Sequence, residues 1–146
     1  MPDDFQLSEF LPYRLSFLSE RVSQRLAKEY GKSHGLSVAE WRVIAHLSHS
    51  GPVSVRDIRT AVNLEKPRVS RAVSRLEACG LVRKVPGETD ARLVAISLTK
   101  AGETALKEIL PAVQAIEADL LAAASPRDLK TFFKVIDRMH AALDAD

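Results

Sequence analysis

One predicted helix in the middle of the chain carries several cationic and hydroxyl side chains. Val69, Val73 and Leu76 recur at helical spacing over residues 66–78 and predict a buried stripe. The other positions of this helix carry side chains that can donate hydrogen bonds: Lys66, Arg68, Ser70, Arg71, Ser74 and Arg75, with Pro67 in the first turn. A helix fits the major groove of DNA, where arginine reads guanine and serine reaches bases or phosphates. The pattern predicts a DNA-reading helix, and its alternative is a solvated arginine face.

A second cationic group is predicted on a β-hairpin that follows this helix. Residues 81–85 and 93–98 are rich in β-formers, and residues 86–90 carry turn formers. We expect Arg83 and Lys84 to contact the DNA backbone and Arg92 to enter a narrow minor groove. Asp90 would repel phosphate, so its predicted role is to hold Arg92 or stabilise the turn. An exposed Asp-Arg pair of little energetic value is the alternative.

The charge distribution supports a polyanionic partner more clearly than the net charge of +2 does. Between Ser54 and Lys100 there are ten basic and five acidic residues, whereas the rest of the chain carries 11 basic and 14 acidic residues. A basic middle between acidic ends is typical of a module that binds nucleic acid. Ser54, at the start of the preceding short helix, is included in the predicted DNA-contacting set.

The sequence lacks the motifs of the common enzyme classes. It has no glycine-rich phosphate loop, nucleophile elbow, Cys-x-x-Cys pair or paired carboxylates beside a histidine. His46 and His49 have the spacing to share a metal but lack a clear third ligand. We therefore expect no enzymatic activity, no cofactor and no metal. Cys79 is either a redox switch or, as is commoner, a small packed cysteine.

Composition favours a globular protein of the cytoplasm. Hydrophobic residues make up 46% and charged residues 27% of the 146 positions, and no apolar run approaches the roughly 20 residues of a membrane span. The first residues are acidic where a secretory signal is basic, and a single cysteine fits a reducing compartment. We expect no membrane association.

Capping signals and apolar periodicity predict the elements that position these residues. A helix over about residues 8–30 is followed by three Ser-x-x-Glu/Asp boxes at Ser37, Ser54 and Ser125, each predicting a helix start. Thr99 is a further predicted cap, for a long helix that contains Pro111. The predicted fold class is mainly α with a small β-hairpin wing (α+β). It comprises a winged helix-turn-helix and flanking helices too apolar to stand alone in water.

Several of these segments together resemble the MarR family of transcriptional regulators. Residues 90–102 resemble its wing signature, an Asp-x-Arg followed by a strand ending in Leu-Thr-x-x-Gly. Residues 66–71, 76–83 and 36–44 resemble the family's recognition helix, the exit from that helix and its second helix, although Pro67 replaces a commonly small hydroxyl residue. The resemblance covers nearly all of residues 1–146. It implies a DNA-binding region over residues 36–99 and a helical dimerisation region over residues 8–31 and 100–144.

The resemblance also implies the partners of the chain. They are double-stranded DNA with a pseudo-palindromic operator, a second copy of the chain, and a small aromatic or anionic effector that releases a repressor from DNA. Residues placed to line an effector site are Arg14, Phe17, Trp41, Arg42 and His46. The alternative function is a winged helix that binds proteins, which would not require arginines on the recognition helix or at the hairpin tip.

Overall fold

Six α-helices and three short strands make up the described part of the chain. The computed structural model describes residues 4–86 and 94–145. After a single 3-10 turn at Leu7–Glu9, the elements are α1 (Leu11–His34), α2 (Val38–Ser50), β1 (Val53–Ser54), α3 (Val55–Val62), α4 (Lys66–Ala78), β2 (Val82–Pro86), β3 (Val94–Leu98), α5 (Lys100–Leu121) and α6 (Pro126–Asp144). The predicted fold class, mainly α with a small wing, is confirmed.

Each predicted serine cap starts a helix. The hydroxyls of Ser37, Ser54 and Ser125 accept hydrogen bonds from the third backbone amide beyond them, at 3.1–3.2 Å. Within the described residues, only Ser37 has the reciprocal bond of the capping box, which its amide donates to Glu40. The other two sites have aspartate in place of glutamate, and this side chain is one methylene shorter.

The core of residues 36–99 lies where α2, α3, α4 and the sheet meet. Val43, Ile44, Ile58, Val69 and Ile96 are fully buried there. The sequence pattern predicts an inward face of α2 made of Val38, Trp41, Ala45 and Leu47, and of these four only Leu47 is buried, while the other three are half-buried. The helix turns Val43 and Ile44 inward instead, because α2 packs against α4 along that side.

The wing sheet has three antiparallel strands, not the two of a simple hairpin. Its order is β1-β3-β2, with Val53 opposite Ile96 and Arg83 opposite Ser97. Strand β1 was not predicted, because its two residues are too few to show an alternating pattern. Its second residue, Ser54, is also the N-cap of α3.

The chain divides into two compact units, Met1–Pro111 and Ala112–Asp146, and the boundary falls within α5. In the first unit, the 3-10 turn and the first half of α1 expose large apolar side chains, including Phe10, Leu15 and Leu18. In the second unit, α6 exposes Phe132 and Phe133 in the same way. Among the described residues, no helix is both long and apolar enough to span a membrane.

Candidate DNA-binding site

The outward face of α4 is the centre of the candidate site. The helix buries Val69, Ala72, Val73 and Leu76, and at 100° per residue the opposite direction is occupied by Pro67, Arg71 and Ser74. All three outward residues are exposed. Before α4, α3 ends at Asn63, whose left-handed backbone (φ 55°) reverses the chain, completing a helix-turn-helix. A cation and a hydroxyl are thus presented on a rigid, accessible helix.

Arg68 and Arg75 lie on the flank of α4 that faces α2, away from the centre of the outward face. Arg68 borders a polar cleft with Arg42 and the serines of α1. The Nε of Arg75 is 3.3 Å from the Glu40 carboxylate, although the Arg75 side chain remains 62% exposed. The three arginines that the sequence grouped together therefore occupy different environments, and Arg71 alone among them projects from the centre of the face.

The other flank of α4 faces the wing. On this flank Lys66 is exposed and Ser70 is half-buried. Glu77 forms an ion pair with Lys84, with 3.7 Å between the charged atoms. Because Arg83 and Lys84 are neighbours on β2, their side chains point to opposite faces of the sheet. The Nε of Arg83 donates to Ser97 at 3.3 Å on the face turned away from α4. The described part of the wing therefore presents one cation on each face.

Three further predicted DNA contacts complete the set. The Ser54 hydroxyl accepts from the Asp57 amide at 3.1 Å, so one of its lone pairs is used for capping. Its hydroxyl hydrogen can still donate to a phosphate. Asp90 and Arg92 lie outside the described residues.

The exit of α4 is joined to the start of α5 by a group of short contacts, of which only the Thr99 cap was predicted from the sequence. The Thr99 hydroxyl donates to the carbonyl of Gly80 at 2.6 Å, and the Thr99 amide donates to the carbonyl of Leu81 at 3.1 Å. The same hydroxyl accepts from the Gly102 amide, which confirms Thr99 as the cap of α5. Gly102 allows the Leu81 carbonyl a close approach that any Cβ would block. The Thr-x-x-Gly signature thus holds the end of α4 against α5.

The five predicted effector residues do not form one cluster. On α1, Arg14 pairs weakly with Glu9 at 3.9 Å, and Phe17 is exposed. The remaining three lie on α2, where His46 is half-buried and makes no described side-chain hydrogen bond. Only Arg42 of the five borders the polar cleft, whose volume is about 430 Å³.

Trp41 and Arg42 both contact residues of α1. Trp41 stacks on Tyr30, with ring centroids 5.4 Å apart. Burial raises the pKa of Tyr30 above its usual value, and the nearby Arg42 partly opposes this shift. Arg42 also donates to the Ser23 hydroxyl at 3.4 Å. Trp41 is therefore engaged in packing against α1, while Arg42 faces a cavity.

A helix-turn-helix followed by an antiparallel wing, with cations on its exposed helix, defines a winged helix-turn-helix DNA-binding protein. The MarR family model matches residues 34–93. The chain is also 33% identical over 114 residues to the HTH-type transcriptional regulator YwoH of Bacillus subtilis, covering 78% of this chain and 82% of YwoH. The protein belongs to the MarR family of transcriptional regulators, which are DNA-binding proteins and not enzymes.

Other relatives and solved structures agree with this assignment. The HTH-type regulator MgrA of Staphylococcus aureus is 28% identical over 109 residues, covering 75% of this chain and 74% of MgrA. The solved structure of a MarR family regulator from Silicibacter pomeroyi is 26% identical in sequence and superposes with a TM-score of 0.82. The match covers 97% of this chain and 96% of the Silicibacter pomeroyi chain.

Two structures of lower identity share the fold. A MarR/EmrR family regulator from Acinetobacter sp. ADP1 superposes with a TM-score of 0.87 at 22% identity, over 97% of this chain and all of that one. BpsR of Bordetella bronchiseptica, whose DNA binding is regulated by 6-hydroxynicotinic acid, superposes with a TM-score of 0.83 at 21% identity, over 93% of this chain and 96% of BpsR.

Proposed function

We propose that this chain acts in the cytoplasm as a homodimeric repressor of transcription, which binds a pseudo-palindromic operator and is released by a small molecule. The observation that carries the proposal is the contrast between exposed cations on α4 and exposed apolar side chains on the terminal helices. The first surface suits a polyanion, and the second suits another copy of the chain.

The apolar surface of the terminal helices supports dimerisation. Phe10, Leu11, Leu15, Phe17 and Leu18 near the start of α1 are each about half exposed. Phe132, Phe133, Met139 and Leu143 on α6 are exposed to a similar or greater extent. Clusters of exposed large apolar side chains are uncommon on monomers and typical of obligate dimer interfaces. The proposed dimerisation region therefore comprises residues 8–31 and 100–144, with the DNA-binding region over residues 36–99.

Two reading helices explain how such a protein selects a sequence. A dimer places one α4 in each of two half-sites about 10 base pairs apart, so the operator is pseudo-palindromic. Arg71 and Ser74 project toward bases, Lys66 and the flanking cations bind phosphate, and Arg92 enters the minor groove. The full proposed DNA-binding set is Ser54, Lys66, Pro67, Arg68, Ser70, Arg71, Ser74, Arg75, Arg83, Lys84, Asp90 and Arg92, in which Asp90 holds Arg92 or stabilises the turn and does not contact DNA itself.

An aromatic acid is the proposed effector class. BpsR supports it as a relative in fold that is regulated by 6-hydroxynicotinic acid. In this chain Arg42 borders the cleft lined by α1, α2 and Arg68 of α4, and of the five predicted effector residues it is the cation placed there to bind a carboxylate. Adding 6-hydroxynicotinate or benzoate to the DNA complex, followed by fluorescence anisotropy, should lower the operator affinity. Arg42→Gln should abolish that response, and a response unchanged in this variant would remove Arg42 from the site.

A salt titration tests the DNA-binding dimer directly. Promoter DNA recovered with the purified protein is titrated by gel shift between 50 and 300 mM salt, and the mass in solution is measured in parallel. With about 8 phosphate contacts per dimer, the logarithm of the binding constant should fall against the logarithm of salt with a slope near −7. The mass should be twice the 16.1 kDa of one chain.

Two results would contradict the proposal. A monomer at micromolar concentration would remove the dimer, and a binding constant insensitive to salt would favour the protein-binding winged helix instead.

A further inference from the structure

Glu40 is a buried acidic side chain in the first turn of α2, beside Arg75 of α4. Among the described residues it is the one charged residue that is buried, at 6% exposure. Its carboxylate accepts from the Ser37 amide at 3.2 Å and from the Nε of Arg75 at 3.3 Å. A buried charge is costly without such partners, so this carboxylate depends on both.

The capping role alone does not account for the contact with Arg75. Ser54 and Ser125 cap their helices without a reciprocal acidic bond. An arginine on the flank of α4 has several rotatable bonds and loses rotamer entropy when it is held in one place. The Glu40 carboxylate holds it by the Nε alone, and the Arg75 side chain remains 62% exposed. Its terminal nitrogens can therefore still donate to a further acceptor.

We propose that Glu40 is a positioning residue for sequence readout, which orients Arg75 so that its terminal nitrogens meet one fixed acceptor on the DNA. This inference rests on the proposed sequence-specific binding of DNA. A pre-oriented arginine favours an acceptor at one position and so discriminates between sequences, whereas a mobile arginine binds any nearby phosphate. The charge of Glu40 offsets that of Arg75, so the pair adds more to specificity than to general attraction.

Glu40→Gln separates positioning from folding. Glutamine retains an oxygen for the Ser37 amide and is a normal partner in a capping box, so the start of α2 should be preserved. The substitution removes the negative charge, and it replaces the other oxygen, which also lies 3.3 Å from the Nε of Arg75, with an amide nitrogen that cannot accept, so the ion pair with Arg75 is lost. Specific affinity is measured for a duplex selected by the wild-type protein from a random library, and non-specific affinity for an unrelated duplex. We expect the ratio of the two affinities to fall about fivefold or more, with an unchanged melting temperature.

Comparison variants test whether Glu40 changes the affinity ratio through Arg75. Glu77→Gln removes an equal charge from α4 at a residue that pairs with Lys84 instead, so both affinities should rise together and their ratio should not change. In an Arg75→Ala background, Glu40→Gln should have no further effect on the ratio. In an Arg71→Ala background, its effect should persist undiminished.

Other outcomes overturn the inference. If Glu40→Gln lowers both affinities and the melting temperature in parallel, its role is structural. If the ratio falls equally in the Arg75→Ala background, Glu40 does not act through Arg75. A wild-type protein that selects no sequence from the library would overturn the proposed function itself, a result distinct from a selective protein insensitive to Glu40→Gln.

Discussion

The winged region buries large apolar side chains in a core, whereas the terminal helices leave large apolar side chains exposed. Ile58 of α3 is completely buried, whereas Leu18 of α1 is 50% exposed. Both α3 and α6 begin with a serine cap whose hydroxyl accepts at 3.1 Å. Helices α3 and α6 therefore share a start signal, and what differs between them is the burial of their apolar side chains. The winged region completes its core within one chain, and the terminal helices have apolar faces suited to a partner.

The largest expected effect comes from truncating the winged core. Ile58→Ala should lower the free energy of unfolding by about 2–5 kcal/mol, because the removed methyl groups leave a cavity in a fully packed site. Leu18→Glu should leave the fold intact but dissociate the proposed dimer and lower operator affinity about 100-fold or more, since two linked half-sites become one. Calorimetry and sedimentation measure the two effects separately.

Val94→Glu is the control for this comparison. Val94 is also an exposed apolar residue, but it lies on the wing strand β3, so the variant should remain dimeric. The contrast between the regions would fail if Leu18→Glu sedimented as a dimer, or if Ile58→Ala were as stable as the wild-type protein.

A smaller effect is expected at the joint between α4 and α5. Gly102→Ala places a methyl group against the Leu81 carbonyl and should destabilise the winged region by about 1–3 kcal/mol. Gly31→Ala is the matched substitution in α1, where the added carbon lies 3.7 Å from the nearest oxygen. It should stabilise the protein by about 0.4–1 kcal/mol, because alanine loses less entropy on folding.

Thermal denaturation of both glycine variants measures these shifts. Equal shifts of the melting temperature, with the same sign, would mean that the close approach at Gly102 does not affect stability.

The order of elements was predictable from the sequence because local physics determines it. Serine caps and apolar spacing gave the starts of α2, α3 and α6, and the stripe of Val69, Val73 and Leu76 gave the buried face of α4. The inward face of α2 was predicted correctly only at Leu47, since packing against α4 buries Val43 and Ile44 in place of Val38, Trp41 and Ala45. Strand β1 forms only through pairing with β3, a contact that two residues cannot signal by themselves.

The candidate site was predictable in composition but not in geometry. The positions of Arg68, Arg71 and Arg75 place them all on α4, yet the spacing does not show which of them a neighbouring helix engages. Glu40 was recognised only as a cap, because its contact with Arg75 joins residues 35 positions apart. Such a contact has no local signature. The outward direction of Arg71 follows from which face of α4 is buried.

The joint between Gly80, Leu81, Thr99 and Gly102 has a practical consequence for protein engineering. A chimaera that receives a recognition helix from another regulator would need to keep Gly80 and Leu81 with their own α5, because the Thr99 hydroxyl and the missing Cβ of Gly102 fit this backbone path. The exchanged segment therefore ends before Gly80, and because Arg75 pairs with Glu40 of α2, the residue at position 40 has to match the new helix.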